Sequence, residues 1–236
     1  LRMFCRCVAC PGDQVDGSTT TTAASDAAEL PAPPAGITLS AETECPPETG
    51  SPERVQKFAG PPPECIDPAA TYTATFATTE GEFTATLDAQ AAPIAVNNFV
   101  VLSRYHFYDG VPFHRIVPGF VIQAGDGDGA PWGSNDLGYE FEDELPNDSG
   151  AYTDYSLAMA NAGAGTNGSQ FFVVLPGGGA QLQPNYTKFG QVTQGTADDD
   201  VIVGTNGADE IDGKGGADTI CGLAGDDRID GGDGSD

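Results

Sequence analysis

Two sets of residues in this chain have types and spacings that could do chemistry. The first is a period. From Gly195 the chain runs in nine-residue units, with glycine at 195, 204, 213, 222 and 231, and a second glycine at Gly207, Gly216, Gly225 and Gly234. Asp200, Asp209, Asp218, Asp227 and Asp236 recur two positions beyond the second glycine site, and isoleucine recurs at 202, 211, 220 and 229. Tight glycine turns expose carbonyl oxygens and the aspartates add carboxylates, which is the donor set of a hard cation such as calcium. The isoleucines would point inward as a thin core. The alternative is a merely flexible acidic tail. The second set centres on Arg115, a guanidinium inside the apolar run GVPFHRIVPGFVIQAGDGDG between Phe113 and Phe120. A lone arginine in a strand is ordinarily a surface residue and a phenylalanine pair ordinarily core, so only a wider pattern can give Arg115 a task.

Composition narrows the partners. The formal net charge is -26, with 35 acidic residues against 9 basic, and such a surface repels nucleic acid and anionic membranes while favouring cations. No apolar run reaches the roughly 18 to 20 residues of a membrane span. With 32 Gly and 18 Pro among 236 residues, one compact domain with appendages is expected. Cys45 and Cys65 flank a proline-rich stretch and could form a disulfide, a bond that persists outside the cell. The opening CRCVACPGD is read first as the remnant of a lipoprotein-type signal, which would imply a lipid anchor. Incidental sequence comes second, and a metal site at Cys5, Cys7 and Cys10 last, because no histidine is near.

These residues need elements to hold them. Residues 1–36 read as signal remnant and disordered linker, and 37–70 as a Pro-rich irregular segment tied by the disulfide. Alternation in TYTATFATTEGEFTATLD (71–88) predicts a β-hairpin. Pro93 opens an amphipathic helix of about three turns that ends near Ser103 or Arg104. VPFHRIV and FVIQAG are two strands broken at Pro118-Gly119, and YSLAMANAG (155–163), SQFFVVL (169–175) and YTKFGQVTQG (186–195) supply more. Many short strands with one helix predict a mainly β fold, an antiparallel barrel or sandwich. His114 reads as structural, His106 as a turn residue, and GDGDG (125–129) as a turn at the rim of the site rather than a cation loop.

Together, FHRIVPGFVIQAGD, MANAGAGTNGSQFFV (159–173) and FGQV (189–192) resemble the cyclophilin-type peptidyl-prolyl cis-trans isomerases over residues 71–195. The tail (196–236) resembles the calcium-binding nonapeptide repeat of secreted bacterial toxins and proteases, with Asp198 replacing the first unit's second glycine. The cyclophilin resemblance implies an eight-stranded antiparallel barrel capped by two helices, with a groove on its outer face. Arg115 matches the family's catalytic arginine, Gln123 the glutamine beside it, and Phe120, Phe172 and Leu182 the walls of a proline pocket. Ala160 and Asn161 match the ledge that holds the peptide backbone, Gln170 a polar groove residue. Tyr186 stands where the family has a pocket histidine, Gln181 where many members have a tryptophan that also holds cyclosporin, and Val121 at a methionine position. Isomerase activity with weak cyclosporin binding is expected. Where the family's second helix and last strand would follow FGQVTQG, the repeat begins, so the barrel should be open along one edge unless Val201–Gly204 supplies a strand.

The resemblances imply an extracytoplasmic isomerase that assists protein folding. It would act on proline-containing peptides and unfolded proteins without a cofactor, and carry a tail that forms a parallel β-roll with Ca²⁺ and is disordered without it. The rival reading is a catalytically weak peptide-binding module whose tail serves secretion or attachment.

Overall fold

The computed structural model describes residues 30–79, 81–133, 136–147 and 150–194, and within the acidic tail 201–203, 210–212, 215–216, 219–221 and 228–234. Two short strands, β1 (Ile37–Thr38) and β2 (Val55–Lys57), pair in parallel within the N-terminal wrap. The hairpin follows as β3 (Tyr72–Thr78) and β4 (Gly81–Leu87), antiparallel and in continuous register. Its period-two pattern is observed: Phe76 is buried while Thr73, Thr75 and Ala77 are exposed. Phe76 faces Phe83 directly across the ladder, and their rings stack at 4.5 Å.

Helix α1 (Pro93–Arg104) starts with proline in its first turn and ends at Arg104. One carboxylate caps it from outside, since Glu144 accepts from the backbone N–H of Ile94 (3.0 Å) and Ala95 (2.9 Å). Two orphan donors are thereby satisfied, and the charge meets the positive end of the helix dipole. His106, with φ at 57°, turns the chain after the helix.

β5 (Arg115–Val117), β6 (Val121–Ala124), β7 (Ser156–Met159), β8 (Phe171–Val174) and β9 (Lys188–Gln194) complete a seven-stranded antiparallel sheet. Its order is β3-β4-β9-β7-β8-β6-β5, so β3 and β5 are its edges. The sheet wraps α1 around an aromatic core, where Phe171 lies 5.6 Å from Phe99, 5.8 Å from Phe76 and 5.7 Å from Tyr108. Ile116 pairs with buried Ile122 yet is 42% exposed, because β5 has no neighbour on its far side among the described strands.

The segment read as irregular and disulfide-tied holds the β1–β2 pair as well as the disulfide. Cys45 and Cys65 are bonded, and Asn97 of α1 holds the loop by accepting from Cys65 N–H (2.7 Å) and donating to the Pro63 carbonyl (2.9 Å). Arg54 donates to the carbonyls of Phe107 (2.8 Å) and Pro34 (2.6 Å), while Val55 and Phe58 are buried in the main core. Order reaches further toward the N-terminus than the composition suggests. Pro33 and Pro34 pack against Gly129 and Gly110, so residues 30–36 belong to the wrap rather than to a linker. The cysteines of the opening, Cys5, Cys7 and Cys10, lie outside the described residues.

In the tail, β10 (Val201–Val203) pairs with β13 (Thr219–Cys221), β11 (Glu210–Asp212) with β14 (Arg228–Asp230), and β12 (Gly215–Gly216) with β15 (Asp233–Gly234). All three pairings are parallel and each joins residues two repeats apart, the register of a β-roll. Of the two alternatives for the barrel's edge, the open one holds among the described strands, since Val201–Val203 pairs with β13 and not with the main sheet. Where an inward-facing isoleucine was expected, Ile229 is 47% exposed, on a strand that pairs only with β11 among the described strands. Among the described residues no helix is long and apolar enough to cross a membrane.

Candidate functional site

Side chains at paired positions of adjacent strands lie on the same face of a sheet. Arg115 of β5 pairs with Gln123 of β6, Gln123 with Phe172 of β8, and Phe172 with Ala158 of β7. One row across four strands therefore carries the arginine, the glutamine and a phenylalanine on the outer face. Their chain neighbours Ile122, Phe171, Val173 and Leu157 face the main core. The MANAG and SQFFV segments act together for this reason: alternation sends Phe171 inward and Phe172 outward.

Above the row sits a second, smaller apolar cluster. Val121, Tyr152, Ala158, Phe172, Val174 and Leu182 are buried in it, with Phe120, Ala160 and Tyr186 packed partly exposed around them. The Phe172 and Tyr186 rings meet edge to face at 5.3 Å. Arg115 lies exposed at the margin, its Nη1 3.5 Å from Gln123 Oε1, and Gln123 Nε2 donates to Gln170 Oε1 at 2.9 Å. Gln170 is buried, so this relay ties the mobile end of Gln123 to a fixed acceptor. The Ala160 N–H donates to the Gln170 carbonyl (2.9 Å), and Asn161 Nδ2 to the Asn185 carbonyl (2.9 Å). Arg115, Phe120, Gln123, Phe172, Ala160, Asn161, Gln170, Leu182 and Tyr186 thus converge on one groove.

The lips are fixed by contacts that no motif announced. Tyr152 Oη donates to the Tyr186 carbonyl (2.7 Å) and accepts from the Tyr186 N–H (3.1 Å), a double latch on the segment bearing the pocket's aromatic wall. Gly178 and Gly179 pass so close that a Cβ at either would overlap the carbonyl of Phe120 or Tyr152. Gln181 Nε2 donates to the Gly119 carbonyl (3.1 Å), tying the short helical turn at Gly179–Gln181 to the β5–β6 turn. The one available signal was the glycine run PGGGA, which marks a close backbone approach without saying to what.

His114 next to the arginine stacks on Trp132 at 5.6 Å, and its Nδ1 is buried with no hydrogen-bond partner among the described residues. Burial first, and then the charge of Arg115, lowers its pKa to about 4, so it is neutral at neutral pH. In GDGDG, Gly125 lies against the backbone of Ser169 and Gln170, Gly127 packs on the Phe107 ring, Gln56 donates to the Gly127 carbonyl and to Asp128, and Asp126 accepts from Gly133 and Asp128 N–H. Its carboxylate is spent on its own turn, against the N-terminal wrap. Asp200, Asp209, Asp218, Asp227, Asp236, Gly207 and Gly225 lie outside the described residues, while Gly216 lies in β12.

The row and the cluster set a guanidinium and side-chain amides beside a mostly apolar surface on an antiparallel sheet. The family model "Cyclophilin type peptidyl-prolyl cis-trans isomerase/CLD" matches residues 73–203, and the chain belongs to that family. The RTX calcium-binding nonapeptide repeat matches residues 194–229 and 203–236. Peptidyl-prolyl cis-trans isomerase A of Mycobacterium tuberculosis is 42% identical over 140 residues, 53% of this chain and 75% of that protein. The human peptidylprolyl isomerase domain and WD repeat-containing protein 1 is 48% identical over 105 residues, 44% of this chain and 16% of that one. A crystal structure of a Cryptosporidium parvum cyclophilin-type isomerase aligns with a TM-score of 0.48 at 31% identity, covering 53% of this chain and 80% of that one.

Proposed function

We propose that residues 71–195 catalyse cis–trans isomerisation of X-Pro bonds in extended or unfolded polypeptides, outside the cytoplasm, and that residues 196–236 bind calcium. The carrying observation is the row Arg115–Gln123–Phe172 beside the cluster of Phe120, Leu182 and Tyr186. Rotation about the X-Pro amide crosses a barrier of ~18–20 kcal/mol because twisting breaks resonance. Twisting also localises the nitrogen lone pair. The apolar walls hold the proline ring while Arg115 donates to that nitrogen only in the twisted state, so the bond favours the transition state over either ground state. Gln123, held by Gln170, positions the guanidinium, and Ala160 with Asn161 carries the peptide backbone.

The Cys45–Cys65 bond supports an oxidising compartment. The in-phase parallel pairing of Gly215–Gly216 with Asp233–Gly234 supports calcium, since it stacks turn positions two repeats apart. Asp200, Asp209, Asp218, Asp227 and Asp236 would supply carboxylates there, with backbone oxygens at Gly207, Gly216 and Gly225. An isomerisation assay on a short Ala-Pro peptide, wild type against Arg115→Ala, tests the enzyme reading. A wild-type rate no faster than the variant's leaves only a peptide-binding module.

A further inference from the structure

The edge of the sheet at β3 borders a groove. The Asp88 N–H bonds to the Phe189 carbonyl (2.9 Å), which makes Asp88 and, two residues earlier, Thr86 the positions of β4 that bond toward β9. The alternate positions Leu87, Ala85 and Phe83 therefore bond toward β3, to Tyr72, Ala74 and Phe76. By the same alternation the backbone N–H and C=O groups of Thr73, Thr75 and Ala77 point away from β4, and no described strand lies on that side. Beside them is a cavity of about 450 Å³ lined by Phe76, Leu87, Phe99, Val100, Ser103 and Tyr108. Arg104 and Asp109, also in its wall, offset one another in charge. Edge strands are commonly protected by a lysine, a proline or a bulge, but YTATFAT has no charge and no proline, and its register is unbroken.

We propose that this edge is a second polypeptide site, which takes an extended segment of a non-native protein as an added strand, uncharged or basic and apolar at every second position. Backbone groups of Thr73, Thr75 and Ala77 form the ladder, and alternate side chains of the guest enter the cavity over Phe99 and Val100. The net charge of -26 disfavours a second copy of this chain and favours cationic guests. Proline is excluded at the bonding positions because it has no N–H. The site thus selects against the residue that the outer groove receives, and it stands whether or not the isomerase reading does.

The test uses the intact chain and a fluorescent peptide Lys-Thr-Val-Thr-Val-Thr-Val-Lys, followed by anisotropy and by hydrogen exchange of residues 72–78. Saturable binding that slows exchange at Thr73, Thr75 and Ala77 is expected. Proline at the central threonine of the peptide, or Ser103→Trp or Thr75→Pro in the protein, weakens binding by about tenfold or more, through a lost ladder bond or a filled cavity. Ser103→Trp is on the exposed side of α1 and leaves the circular dichroism spectrum and the Ala-Pro isomerisation rate unchanged. Glutamates in place of the terminal lysines also weaken binding. Absence of binding, or equal binding of the proline-bearing peptide, overturns the proposal. So does protection of these amides without peptide, whether it rises with protein concentration, which assigns the edge to a second copy, or is constant, which assigns it to this chain's own segments.

Discussion

Arg115 is exposed at the margin of its pocket, so its removal should leave the fold intact and be read in the rate alone. Arg115→Ala should lower kcat/KM by ~10²–10³, the scale of one lost transition-state donor, with an unchanged thermal midpoint. Lysine should rescue little, because a point charge does not reproduce a planar fork held by Gln123. His114 makes a pH prediction. Its folded pKa of about 4 lies below the ordinary ~6.5, so as pH falls through that window the unfolded chain takes up the proton first and stability is lost. Urea midpoints should therefore drop between pH 7 and pH 4.5 by more in the wild type than in His114→Gln. Arg115, Phe120, Gln123 and Phe172 could be brought together from the sequence because they fall in contiguous motifs, three of them on strands and Phe120 in the turn before β6. Tyr152 and Glu144 were not, since they act from irregular segments where spacing carries no phase.

At the scale of elements, the groove depends on how the 178–187 segment is latched to the sheet. Tyr152→Phe keeps the buried ring and removes both hydrogen bonds to Tyr186. KM should rise severalfold while kcat is largely kept, because the Tyr186 wall loosens while Arg115 stays on its strand; steady-state assays on the Ala-Pro peptide resolve the two. Glu144→Ala should cost about 1 kcal/mol in urea denaturation, as two α1 donors lose their acceptor and the helix dipole its counter-charge. The hairpin, α1 with its proline start, and the strand pairs around Pro118-Gly119 could be read from periodicity and turn residues. The wrap at 30–70 could not, because its order rests on Asn97, Arg54 and packed prolines rather than on any repeating pattern.

For the whole molecule, a seven-stranded open sheet is stabilised from outside by a disulfide-closed wrap that adds Val55 and Phe58 to its core. Replacing Cys45 and Cys65 by serine should cost about 3 kcal/mol, read as a lowered denaturation midpoint, for a bond that closes a loop of this length. Calcium titration followed by circular dichroism should raise strand signal as carboxylate repulsion in the tail is neutralised, and a chelator should reverse it. The sequence by itself determined the family, the groove's residue types and the nine-residue phase of the tail, because motifs and periods are local and survive in one dimension. Only the tertiary structure decided that Arg115, Gln123 and Phe172 form one row, that Val201–Val203 pairs within the tail, and that no described strand pairs with the outer edge of β3. Those outcomes are set by strand register and by which backbone groups find partners, and these are relations between distant segments that no single stretch of chain encodes.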